Sequence, residues 1–161
     1  MKTTIIGLFL FTTSFLHAQK TATWIGGAPG KETKWSEPKN WSDQRVPDEF
    51  SYVVISGRQS GHDAQPVITD LVEVASIELR SGASLVISST GEVAIDGTDI
   101  YTEGIANYGG RLVNDGVINL INIDGVTADS FSHAVEGEGI VFLNGRSYHA
   151  EELAELNLSN Q

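Results

Sequence analysis

Between Tyr52 and Ile123 the chain alternates short apolar runs with glycine-bearing turns. The runs are YVVIS (52–56), PVIT (66–69), SIEL (76–79), SLVIS (84–88), EVAID (92–96), RLV (111–113) and VINLINI (117–123). β-branched and aliphatic residues dominate them, as strands require, and glycines from Gly57 to Gly125 punctuate them. In the middle, Ile77, Leu85 and Val93 recur at a spacing of eight, and each is followed two places on by Leu79, Ile87 or Ile95. A period of two puts both members of each pair on one face of a strand. A helix would need apolar positions three and four apart over a longer stretch, and none appears before the tail. The pattern predicts an all-β chain.

Two architectures fit such runs. Asn107, Asn114 and Asn119 lie among glycines in GIANYGGRLVNDGVIN, and Asn and Gly tolerate the left-handed conformations that sharp corners of a stacked coil need. Asn114-Asp115-Gly116 equally suits a two-residue hairpin in an antiparallel sandwich. The short, evenly spaced runs favour the first, a solenoid of stacked coils. Residues 19–51 then read as an aromatic N-terminal cap, 52–145 as coils and 146–161 as a C-terminal cap, together one domain. Within residues 126–161, where the repeat breaks, GIVFLNG (139–145) reads as one more strand and turn. SYHAEELAELNLSN reads as a short helix with Ser147 ahead of the acidic first turn.

The first eighteen residues change the picture of location. Met1-Lys2 is followed by twelve mostly apolar residues, Ile5 to Leu16, and then by Ala18 at a cleavage point. Twelve residues are too few to cross a hydrocarbon core of about 30 Å, so a removed signal peptide is expected, with a secreted or periplasmic product. There is no cysteine, which excludes disulfides and a lipid-modified cysteine and points to a bacterial exported protein. Twenty-one acidic residues against ten Lys and Arg give a formal charge of −11, which argues against nucleic acid and anionic membranes as partners.

The succession TWIGG…KWSEPKNWSDQRVP…YVVISG…SIELRSGASLVISSTGEVAIDG…GIANYGGRLVNDGVINL resembles a module of secreted bacterial surface proteins. In that family a W-x-G…NW…VP lead-in precedes a valine-isoleucine strand and coils of the type I-x-L-x-x-G-A-x-L-x-I. The likeness runs from Trp24 to about Ile123. It implies a short right-handed parallel β-helix or similar solenoid in an adhesin-like, cell-surface setting, without naming a ligand.

Candidate chemistry is sparse. Trp24, Trp35 and Trp41, with Tyr101 and Tyr108, could offer flat faces to sugar rings, or the tryptophans could instead close the open end of the first coil. Asp96, Asp99 and Glu103, and Asn122, Asp124 and Asp129, gather oxygen ligands near turns but match no calcium-loop pattern and read as solvated carboxylates. No zinc site is expected from His62, His133 and His149, which are far apart in sequence, and no metal or other cofactor is assigned. No G-x-S-x-G occurs, and a glycosidase pair such as Glu73 and Glu78 would be arbitrary. Arg58, Arg80, Arg111 and Arg146 are too scattered to line a uronate groove. The expectation is therefore a non-catalytic attachment protein whose partner is a polysaccharide or a surface protein. A carbohydrate-binding module is the first alternative, and a miniature β-helix polysaccharide lyase or hydrolase is the second.

Overall fold

The structure, a computed structural model, describes residues 20–57, 64–97, 104–123 and 135–153. The signal-peptide segment, Tyr101, Asp99, Glu103, Asp124, Asp129, Arg58, His62, His133 and the tail from Ala154 lie outside the described residues. Three sheets make up the rest. The first holds β1 (Lys20–Thr23), β2 (Ser51–Ile55), β5 (Ser76–Arg80) and β8 (Ile105–Tyr108), side by side in that order. The second holds β3 (Val67–Ile68), β6 (Ser84–Ile87), β9 (Arg111–Asn114) and β11 (Val135–Glu136). The third holds β4 (Leu71–Glu73), β7 (Glu92–Asp96), β10 (Val117–Ile121), β12 (Ile140–Leu143) and β13 (Arg146–Tyr148).

From β2 to β10 the chain visits the three sheets in turn, so over that stretch no strand pairs with the next in sequence. Among the described residues β12 and β13 are antiparallel and every other strand pair, β1 with β2 included, is parallel. Parallel strands need long crossovers: the one from β1 to β2 is the lead-in, and between β2 and β10 each is made of strands of the other two sheets. All seven runs expected as strands are strands, and β4 and β8 are additional. Asn114-Asp115-Gly116 is a corner between the second and third sheets, not a hairpin.

Alternation explains how strands this short are held. Ile77 and Leu79 in β5, Leu85 and Ile87 in β6, and Val93 and Ile95 in β7 are all fully buried, while Glu78, Val86 and Ala94 between them are only half-buried. Register stacks like on like: Val53 lies beside Ile77 and Ile77 beside Ile105, Leu85 beside Leu112, and Val93 beside Ile118. Residues of all three sheets join one hydrophobic cluster. Each fully buried Leu or Ile contributes about 1.5–3 kcal/mol, which a strand of four residues could not supply alone.

Corners are made in two ways: between the first and second sheets Gly82 and Gly109 take left-handed backbone, with φ of 76° and 86°, as expected of glycine, whereas between the second and third sheets space decides. A Cβ on Gly91 would meet the Ile68 carbonyl at 2.4 Å, one on Gly116 the Gly91 carbonyl at 2.2 Å, and one on Gly139 the Gly116 carbonyl at 2.5 Å. These glycines stack at one corner because the backbones of successive circuits touch there. The asparagines also act differently from expectation. Asn107 and Asn114 are buried and do not have positive φ; their side chains accept from the Gly110 and Gly116 N–H groups at 2.7 and 3.1 Å. The left-handed asparagines are Asn122 and Asn144.

At the C-terminal side Ser147 lies in β13, antiparallel to β12, rather than capping a helix. The helical turn at 150–153 follows, and the Glu152 carboxylate accepts from the His149 N–H at 2.8 Å, which satisfies one of the helix's free donors.

Candidate binding surface

The lead-in before β2 is ordered by side chains more than by backbone ladders. Asn40, fully buried, accepts from the Ala28 N–H at 2.8 Å and donates to the Lys31 and Lys34 carbonyls at 2.7 and 3.0 Å. One amide thus ties down three segments of an irregular loop that has few ladder bonds of its own. The 3-10 turn at Pro38–Asn40 then delivers Trp41 inward. Asp48 closes the lead-in: its carboxylate accepts from the Ser51 hydroxyl at 2.6 Å, and its N–H donates to the same Oγ at 3.1 Å, just where β2 begins.

The three tryptophans form one edge-to-face group. Trp41 lies 5.0 Å from Trp24 and 4.7 Å from Trp35, centroid to centroid, at 82° and 73°. Their exposures are 5% for Trp24, 3% for Trp35 and 0% for Trp41. A sugar platform needs an exposed ring face, and none of the three offers one. The Trp24 Nε1–H donates to the Ala64 carbonyl and that of Trp41 to the Trp35 carbonyl, both at 2.8 Å. The Trp35 Nε1–H is buried and has no partner among the described residues. Of the other aromatic candidates, Tyr108 is 61% exposed at the end of β8, and Tyr101 lies outside the described residues.

The lead-in covers the starting edges of two sheets and leaves the third bare. On the first sheet β1 pairs with β2, and the chain returns so that the Ser42 N–H donates to the Thr23 carbonyl. On the second, Lys34 bridges to Val67, whose N–H donates to the Thr33 carbonyl at 2.8 Å. On the third, β4 has no backbone partner on its outer side among the described residues. A cleft of about 220 Å³ lies there between β4 and the 46–49 segment. Trp35, Pro47 and Val72 form its buried base, and the exposed carboxylates Asp48, Glu49, Asp70 and Glu73 surround it. Among the described residues no Lys or Arg lines it. Sequence reading missed this place because TDLVEV (69–74) is too short a run to stand out as a strand. An acid either side of Leu71-Val72 is its one signal.

A second, shallower groove of about 490 Å³ runs over Gly82, Ser84, Gly110 and Arg111 at a corner of the first and second sheets. Arg111 makes a two-pronged pair with Glu136 at 3.0 and 2.6 Å, which lowers the Glu136 pKa and raises that of Arg111. Lys20 holds the Asp43 carboxyl below its usual range through a direct contact, and Lys31 does the same for Glu37. These are structural pairs on the surface. Among the described residues no group of three or more His, Cys, Asp or Glu is placed to hold a metal ion. No family model, no curated protein and no solved structure matches this chain.

Proposed function

We propose that the chain is a short exported β-solenoid, a right-handed parallel β-helix capped by its tryptophan lead-in, and that it acts in attachment to a partner at the cell surface or in the matrix. The observation that carries this reading is the repeated visiting of three parallel sheets around one aliphatic core. Such a frame presents long, regular outer faces and free strand edges, which suit recognition of an extended partner. The leader-like first eighteen residues support a task outside the cytoplasm. A second reading, sugar binding, is favoured by one feature: exposed Tyr108 beside Arg80 in register, near the open groove that Arg111 lines.

The test is to expose the mature chain to immobilised polysaccharides and bacterial surface proteins, and to assay the same polysaccharides for cleavage. Saturable binding without new reducing or unsaturated ends supports attachment. Cleavage abolished by a single substitution would replace it with the enzyme reading. Polysaccharide binding lost in Tyr108→Ala alone would make the sugar-binding module the better description.

A further inference from the structure

We infer that the free edge of β4 and the acidic cleft beside it accept an extended, positively charged segment of a partner protein, added as a further strand to the third sheet. This gives the attachment reading its class of partner and rests on that reading only for the claim that binding is the protein's task.

The edge follows from the hydrogen bonds. The Glu92 N–H donates to the Asp70 carbonyl and the Val74 N–H to the Ala94 carbonyl, both at 3.2 Å, so Asp70, Val72 and Val74 turn their backbone groups to β7. In a parallel ladder the intervening residues point the other way. The N–H and C=O of Leu71 and Glu73 therefore face outward, and no segment of the lead-in pairs with them. Proteins usually cover or blunt such an edge, and this protein covers the matching edges of its other two sheets. Here instead Leu71 is 59% exposed on the bare strand.

The cleft tells what comes to the edge. At about 220 Å³ it is smaller than the roughly 300–1,000 Å³ of ordinary small-molecule sites, and suits one inserted side chain. Its base is apolar, and it includes Trp35, whose buried indole N–H still lacks an acceptor. Asp48, Glu49, Asp70 and Glu73 surround it without a lining cation, which selects Lys or Arg in the incoming strand. The same carboxylates repel a second copy of a chain whose formal charge is −11. In strand addition the backbone supplies affinity while alternate side chains supply choice, and both elements are present.

The experiment uses the purified mature chain and two capped heptapeptides, one alternating Lys with Val and one alternating Glu with Val. Titration is followed by amide exchange in nuclear magnetic resonance. The Lys–Val peptide is expected to bind at least about tenfold more tightly than the Glu–Val peptide, and to weaken with added salt. The Leu71 and Glu73 amides should exchange freely alone and become protected on binding, whereas Val72 is protected throughout. Glu73→Lys and Leu71→Lys should abolish the effect, and Glu138→Lys, exposed at the other end, should leave it intact. Binding without new protection at Leu71 and Glu73, or equal binding of both peptides, would overturn the inference. So would self-association that Leu71→Lys removes, because a second copy would then own the edge. If the peptides fail while a polysaccharide binds, this inference falls and the attachment reading stands.

Discussion

The lead-in at 20–50 and the three-sheet ladder after it bury their central side chains by opposite means. The ladder repeats one device: a pair of aliphatic residues two apart, a corner, and a parallel neighbour in register. The lead-in repeats nothing. It depends on single side chains: Asn40 ties Ala28, Lys31 and Lys34 together, Trp41 holds the Trp35 carbonyl, and Asp48 holds Ser51 at the start of β2. A repeat spreads its energy over many equivalent positions, so each is moderately tolerant of change. A unique cap concentrates it, so a single substitution there reaches further.

That contrast can be broken most sharply at Trp41. Trp41→Ala removes a fully buried ring, two edge-to-face contacts and the hydrogen bond to the Trp35 carbonyl, and should cost about 3–5 kcal/mol in urea unfolding. One cooperative transition is expected, because β1 pairs with β2 and the tryptophans share the core cluster. Two separate transitions would show that the lead-in and the ladder are distinct folding units.

Asn40→Ala comes next. It leaves the Ala28 N–H without its acceptor at a buried position and takes from the Lys31 and Lys34 carbonyls one of the two donors each has, an expected loss of about 2–3 kcal/mol. Asn114→Ala in the ladder, where one bond is 3.1 Å and the other a long 3.3 Å, should cost less, about 1–2 kcal/mol. Equal losses at the two positions would erase the distinction between unique and repeated parts.

Glycines sharpen it further. Gly116→Ala forces backbone apart at a stacked corner and should destabilise by about 1–3 kcal/mol. Gly30→Ala, with nothing within 4 Å but φ at +75°, meets only the left-handed penalty of about 1–2 kcal/mol. Reversed dihedral strain, relieved by Asn at 30 but not at 116, would identify the cause in each case.

The smallest effect is on pH dependence. Asp43 in the lead-in and Glu136 in the ladder have pKa values lowered by Lys20 and Arg111. Their contribution is complete above the ordinary carboxylate pKa of about 4 and is lost as pH falls through the lower folded values. The urea midpoint should therefore owe nothing to these pairs' titration between neutral pH and about 4, and lose their small share below that. Lys20→Met and Arg111→Met should each flatten part of that acid decline. A variant that changed the profile near neutral pH instead would point to a different titrating group.

Much of the ladder was legible because period-two burial writes itself into sequence: Ile77, Leu79, Leu85, Ile87, Val93 and Ile95 all lie inside. β4 was not, since three residues between acids carry too short a pattern to separate strand from turn. The tryptophans were legible as aromatic and ambiguous as site, because a ring suited to stacking on sugar is equally suited to filling a core. Only the packing, which turns all three rings inward, separates the two.

By itself the sequence determined that the chain is β-rich, where most of its strands run and which side chains they bury, because these depend on near neighbours along the chain. The tertiary structure alone decided that the strands are parallel and sorted into three sheets, that the tryptophans face inward, and that β4 keeps a bare edge between carboxylates. Those outcomes depend on which distant segments come to lie side by side, and a parallel ladder joins residues that the local pattern cannot relate.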